Sequence, residues 1–391
     1  MRFGSLLLIG LTAIVACAAP NGADEEDAAD DTAVEGSDIT ADVPIGGEDE
    51  TASADALAPA PFDHEDTDLL DIRGVGDSAW SKTHEKDPIP AGFGAALAKF
   101  DPTHTLLRGD LSFINWETVV GNHCNQFSAP YNPGSSYAFL SRPENLTQAY
   151  DHGFNLVGLS NNHARDCSNG AGEDTSSKIS VPFLNQLSSD QHWMWAGIGL
   201  VEADVTKAKV ETFDIKGRKI RVAFASLYTG RASCPLATCQ SDATAVMTSL
   251  RDAPADIRIL ALHSQDSQPQ LVKTGTDFIQ KFNGDVVMGH GPHIWKPVRI
   301  VRKEGGGKGV FFESFGNFLH PGCASQARNV IGRALFDRDL KLRQIQLVPV
   351  QNNGLAVNIS SVDVPSKEWS RCCAAGTSSV TAFRFRPAKP F

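Results

Sequence analysis

Asn161-Asn162-His163-Ala164-Arg165-Asp166 puts two amides, an imidazole and a carboxylate into six residues, just behind the apolar run Leu156 to Leu159. An amide oxygen is a hard ligand, and the imidazole beside it titrates near neutral pH. That pair suits the holding of a cation and the movement of a proton. The run before it reads as a buried strand, and loops at strand ends collect ligand sites because the sheet holds them rigid. The same residues also read as a plain polar turn, in which Asn161 and Asn162 do no more than bend the chain.

Repetition tips the balance. Asp77, Glu117, Asn162 with His163, His263 and His293 each stand where an expected strand ends. A lone histidine after a strand is more often structural than a ligand. Several on neighbouring strand ends would converge. Carboxylate, amide and imidazole together suit Zn, Mn or Fe, and the lack of thiolates at these positions argues against a closed structural zinc site.

These groups need elements to position them. Leu70 to Asp77 reads as a first strand, and a second apolar run precedes Asn115 and Glu117. Pro143 at a helix start and Gly153 past its end mark a helix that feeds the strand before Asn161. Further helices are expected over Val181 to Leu187 and from about Pro269 to Phe282. Ile257 to Leu262 is a buried-type strand ending on His263, and Asp285 to Gly289 is another, leading into His290-Gly-Pro-His293. Lys216-Gly217-Arg218 and the stretch Glu304 to Gly309 read as hairpin turns. The latter lacks the spacing and the Ser or Thr of a phosphate loop. Late strands are expected over Gln344 to Val350 and Val380 to Phe385. Strands alternating with helices and then pairing as hairpins predict α/β or α+β layering.

The chain of 391 residues is 41% hydrophobic, enough for a sizeable core in one large domain or two ordinary ones. Its net charge of −11 is concentrated, because residues 18–66 hold sixteen Asp or Glu and no Lys or Arg. Without that block the remainder carries about +5, which gives nucleic-acid binding no electrostatic support. The block has hardly an aromatic and cannot bury enough apolar surface to offset its ordering entropy, so it reads as a disordered tether. Before it, Arg2 and an apolar run to Val15 read as a secretory signal too short to span a bilayer. Small residues ahead of Cys17 are similar to a bacterial lipobox, with Cys17 as the acylated first residue of the mature protein. The other reading is an ordinary signal cut near Ala18 or Ala19. The expected organisation is thus a leader over 1–17, a tether over 18–66 and a folded domain over 67–391, exported and lipid-anchored to the envelope, at the outer membrane or cell surface. Export permits disulfides among the remaining seven cysteines: Cys234 and Cys239 would close a small loop, and Cys124 with Cys167 would staple two loops near Asn162.

Taken in order, Gly76-Asp77, Asn115-Trp-Glu117, Asn161 to Asp166, His263, Gly289-His-Gly-Pro-His293 and Ser314-Phe-Gly-Asn317-Phe resemble the CapA-like poly-γ-glutamate capsule proteins, a branch of the calcineurin-like metallophosphatases. The resemblance spans about Gly74 to Val350. It implies a four-layer α/β/β/α sandwich with the site at the loop ends of two sheets. It also implies that Asp77, Glu117, Asn162, His263 and His293 hold divalent metal, Zn, Mn or Fe. In the same way it makes His163 the general acid or a group polarising the substrate, oriented by Asp166, and has Asn317 shape the surrounding loop. His290 and Asp110 are weaker candidates. The sequence departs from the family where His-Trp-Gly-x-Glu is replaced by His263-Ser264-Gln265-Asp266-Ser267, and where Ser78-Ala-Trp80 follows Gly76-Asp77 with no basic residue. Three functions follow: metal-activated hydrolysis in capsule or poly-γ-glutamate synthesis or processing, a non-catalytic surface lipoprotein that binds or scaffolds envelope polymer, or a generic metallophosphoesterase acting on phosphoesters.

Overall fold

The computed structural model describes residues 68–132, 136–170, 174–264, 268–321, 329–359 and 381–384. The leader with Cys17, the acidic tether, the segment Gln265 to Ser267, and Cys323, Cys372 and Cys373 lie outside the described residues.

Strand β1 (Leu70–Ser78) is followed by helix α1 (Phe93–Phe100) and β2 (Leu111–Trp116). An excursion then carries the two-residue strands β3 (Val119–Val120), β4 (Gln126–Phe127) and β5 (Leu140–Ser141), before α2 (Glu144–Asp151) and β6 (Leu156–Gly158). Next come β7 (Cys167–Ser168), α3 (Ser176–Asp190), β8 (Met194–Ala196) and the single turn α4 (Glu202–Val205). The second half runs β9 (Lys209–Ile215), β10 (Arg218–Tyr228), α5 (Ala243–Asp252), β11 (Ile257–His263), α6 (Gln268–Lys281), β12 (Val286–His290), β13 (Trp295–Arg302) and β14 (Lys308–Phe315). Strands β15 (Asn329–Phe336), β16 (Leu342–Asn352), β17 (Val357–Ile359) and β18 (Thr381–Arg384) return to the first half.

Two mixed sheets result. One has the order β17-β16-β15-β1-β2-β6-β8, with β18 also on β16; the other has the order β13-β14-β12-β11-β10-β9. In the first, β1, β2, β6 and β8 are parallel, and in the second β10, β11, β12 and β14 are parallel. The side-chain period of two shows what each face does. On β10, β11 and β12, Val222, Phe224, Ile259, Ala261, Val286 and Met288 meet Ile72, Phe113 and Leu156 of the other sheet in one core. The alternate residues Ala223, Ala225, Leu260, Leu262 and Val287 pack instead on Val246 and Leu250 of α5 and Leu271 and Phe278 of α6. The outward side chains Ile114, Trp116 and Val157 of the first sheet likewise meet Phe93, Leu97, Leu146 and Leu184 from α1, α2 and α3. Parallel strands buried on both faces need near-continuous apolar runs, and these strands have them. The mixed α/β sandwich expected from the sequence is the observed fold class.

The expected hairpins are present. Lys216 and Gly217 both take positive φ, 53° and 75°, as a two-residue turn matched to strand twist requires. Both foreseen cysteine pairs are bridged, Cys124 to Cys167 and Cys234 to Cys239.

Candidate metal centre

The carboxyl ends of the parallel strands meet at one edge of the sandwich. Asp77 lies near the end of β1, Glu117 directly after β2, and Asn161 to His163 just after β6; His263 and His290 close β11 and β12. A backbone bridge ties the two sheets there, with Asp77 N donating to Gly316 O at 2.9 Å and Phe318 N donating to Asp77 O at 2.7 Å. That bridge swings the loop after β14 across the strand ends and brings Asn317 and His320 in with it.

Two groups of three potential ligands form at this edge. Asp77, His263 and His290 make one, and Glu117, His293 and His320 the other, all buried, with ligand atoms inside each group within 4.8 Å of one another. His263 Nδ1 faces His290 Nδ1 at 2.7 Å, and Asp77 Oδ1 is 3.6 Å from the first ring and 3.5 Å from the second. A cation with bonds of ~2.1 Å spaces its ligand atoms about 3–3.5 Å apart, close to the two distances from Asp77, while the two ring nitrogens are hydrogen-bonded to each other. Asp77 Oδ2 lies 3.2 Å from His293 Nδ1 and accepts the Gly291 amide at 3.0 Å, while Asn115 Nδ2 donates to Oδ1 at 2.8 Å. Asp77 therefore touches both groups.

Buried polar atoms normally have partners. Here both carboxylate oxygens of Glu117, Nε2 of His263, Nε2 of His290 and Oδ1 of Asn162 are buried with no hydrogen bond. Glu117 Oε1 looks across 3.8 Å to His263 Nε2, and Oε2 across 3.5 Å to His320 Nε2. A divalent cation would satisfy such atoms, so the donor set fits the group that the sequence suggested.

His163 stands beside the Glu117 group, its Nε2 4.0 Å from Glu117 Oε1. Its Nδ1 meets Asp166 Oδ2 at 2.8 Å, which orients the ring. The two asparagines before it divide the work. Asn161 donates to Trp116 O at 3.0 Å and to Asn115 Oδ1 at 3.3 Å, locking the loop to β2, and Asn162 keeps its amide oxygen unengaged. His293 takes φ of 58°, a left-handed conformation unusual for a residue with a Cβ, and donates from Nδ1 to Asn317 Oδ1 at 2.8 Å.

The structure adds two residues and removes one. His290, a weaker candidate in the sequence, ends β12 inside the Asp77 group. His320 was not anticipated; it lies three residues past Asn317, on a loop with no apolar run to flag it. Asp110 does not join the centre. It precedes β2, accepts the Asp71 amide at 2.8 Å and pairs with Lys216 at 3.0 Å, at the other end of the strands.

Burial sets the protonation of the cluster, and neighbours then split it. Burial by itself raises Asp77, but hydrogen bonds from His290 and His293 with the charge on His293 hold it well below the usual carboxylate range. Burial and then the negative charge of Asp77 push Glu117 well above its range. Burial pushes His263 well down, and lowers His290 despite Asp77. His293 goes the other way: burial opposes its charge, yet Glu117 and the hydrogen bond to Asp77 raise it to about 9. His293 thus retains a proton at neutral pH that a cation must displace. Cation binding is expected to release about one proton at pH 7. Affinity is then expected to climb as pH rises toward 9, by about tenfold per pH unit for each proton displaced. Calorimetry in buffers of differing ionisation enthalpy checks it; an enthalpy that ignores the buffer contradicts it.

A family model described as bacterial capsule synthesis protein matches residues 72–321. No curated protein matches the sequence. The crystal structure of a hypothetical protein from Thermus thermophilus is similar at 12% identity and a TM-score of 0.43, covering 71% of this chain and 97% of that one. With its match running from β1 to just past His320 and taking in every residue of both ligand groups, the chain belongs to the bacterial capsule synthesis protein family.

Proposed function

We propose that the protein is an exported, metal-dependent hydrolase of the capsule synthesis family, lipid-anchored at Cys17, acting on poly-γ-glutamate or a related envelope polymer. One observation carries the metal-dependent reading: three side chains of the two ligand groups, Glu117, His263 and His290, hold buried polar atoms without hydrogen bonds, and Glu117 Oε1 faces His263 Nε2 across 3.8 Å. In the proposed site Asp77, Glu117, Asn162, His263 and His293 hold Zn, Mn or Fe, joined by His290 and His320. A divalent cation bound there supplies Lewis acidity and an activated nucleophile near neutral pH.

The chain's own residues do the rest. His163, its Nδ1 engaged by Asp166, keeps Nε2 for proton transfer on the side facing Glu117, and protonates the leaving atom. Phe139 lies against the His163 ring, centroids 4.5 Å apart, and limits water on that side. The family match supports the capsule role, and the acidic tether with its lipobox-like leader supports the envelope location.

Elemental analysis of the purified full chain tests the reading, together with hydrolysis of poly-γ-glutamate and of simple phosphate esters. About one to two divalent ions per chain are expected, with polymer turnover that falls at least 100-fold in His163→Ala. Turnover of phosphate esters alone assigns a generic phosphoesterase. Bound polymer without turnover assigns a scaffold, and a chain that binds no metal sinks the proposal.

A further inference from the structure

The excursion between β2 and α2 does more than link them. Its strand β4 pairs with β7, placing Phe127 opposite Cys167, the residue after Asp166. Ser128 N donates to Asp166 O at 2.7 Å, and Ser128 Oγ donates to Arg165 O at 3.0 Å. Phe139 N donates to Asp166 Oδ2 at 2.7 Å, the same oxygen that meets His163 Nδ1. The Phe139 ring then packs on His163 and, at 5.3 Å between centroids, on His320. So Ser128 holds the Asp166 backbone carbonyl and Phe139 its carboxylate, and neither residue lies on the two large sheets.

Phe139 is also held through its carbonyl, which accepts the Val119 amide at 3.2 Å. The apolar cluster flanking Ser128 and Phe139 is small: Val119, Cys124, Phe127, Ala138, Leu140 and Cys167, with Ile179 packed against it. Two of those six are the fully buried halves of the Cys124–Cys167 disulfide. The ligand group Asp77, His263 and His290, by contrast, sits on β1, β11 and β12, braced by the main core.

Resting on the hydrolase reading for what His163 does, we infer that the Cys124–Cys167 disulfide is the positioning element for the Asp166–His163 pair, separable from the strand-borne metal ligands. The bridge fixes β4 against β7. That register aims the Ser128 amide at the Asp166 carbonyl and holds Asp166 where its carboxylate accepts the Phe139 amide, and Asp166 in turn sets the His163 ring.

The test compares the native full chain with Cys124→Ala/Cys167→Ala, followed by hydrogen exchange and by imidazole nitrogen NMR. Expected are at least tenfold faster exchange at the Ser128 and Phe139 amides and loss of the His163 Nδ1–H resonance. Exchange at Gly291, the His293 Nδ1–H resonance and the cation content should stay within twofold of native. Opening the bridge in the native chain with dithiothreitol, which leaves two thiols, should reproduce the change if the variant folds poorly; Cys234→Ala/Cys239→Ala should not. Unchanged Ser128 and Phe139 amides with an intact His163 signal overturn the inference. So does joint loss of the Gly291 protection and the cation, since the bridge would then be general scaffolding. If the native chain binds no cation, the hydrolase reading fails while the exchange result still decides whether the bridge positions the pair.

Discussion

Asp77→Asn is expected to empty the centre, cutting cation content to below about a tenth of native and weakening affinity on the order of 100-fold or more, since even outer-shell changes cost 10–100-fold. The reason is its place between the two ligand groups. Its Oδ1 is 3.5–3.6 Å from His290 and His263, and its Oδ2 is 3.2 Å from His293. Among the described residues, no other side chain reaches both groups with a negative charge held well below the usual pKa. Asparagine keeps the shape, but its NH2 must face one of two existing donors, Asn115 Nδ2 or the Gly291 amide. A donor facing a donor in a fully buried place costs about 1–3 kcal/mol, so the metal-free variant is expected to lose that much stability as well. Thermal unfolding separates the effects. Native protein is expected to melt higher on adding excess Zn or Mn, because only the folded state binds, and the variant is expected not to respond. A variant with native cation content and a native thermal response would show that the ligand groups do not share Asp77.

Among the described glycines, Gly76→Ala is expected to be the most damaging change, costing more than about 4 kcal/mol or preventing folding. A Cβ at this position would lie 1.8 Å from Gly316 O and 2.8 Å from Gly316 C. Those are backbone atoms, and they cannot swing aside as the end of a flexible side chain can. The clash falls on the bridge that joins β1 to the loop after β14, one residue before the Asp77 amide that donates to Gly316 O. Separating those segments would pull Asn317 and His320 away from Asp77 and Glu117. Denaturant titration and cation content check it together. Gly217→Ala, with nothing within 4 Å of its Cβ, is the matched control; its φ of 75° predicts a loss of only about 1–2 kcal/mol. Equal losses at the two positions would show that the close approach at Gly76 is unimportant.

Asp77 and His263 could be picked from the sequence because each closes a stretch that reads as a strand, an imperfect one over Leu70 to Asp77 and a buried-type one over Ile257 to Leu262. A period-two pattern tells which residues face the core and where the strand stops, and parallel strands put those stops on one edge. The hairpins were equally legible, since Lys216-Gly217 needs positive φ that few residues accept. Less legible were helices α1 and α5 and strand β15. Their eight to ten residues carry weak local signals and are held by the core clusters they pack into.

The order of strand ends, the candidate ligand types Asp, Glu, Asn and His, and the fold class were therefore set by local patterning alone. Tertiary structure alone decided the membership and grouping of the centre. His320 enters because the Asp77–Asn317 bridge folds the loop after β14 over the strand ends, and His290 because β12 lies in register with β11, opposite His263. Asp110 drops out for the converse reason: it begins the approach to β2 rather than ending it. Proximity between residues some 200 positions apart is a property of sheet pairing, and a single chain of letters encodes the pairing only through the packed core that enforces it.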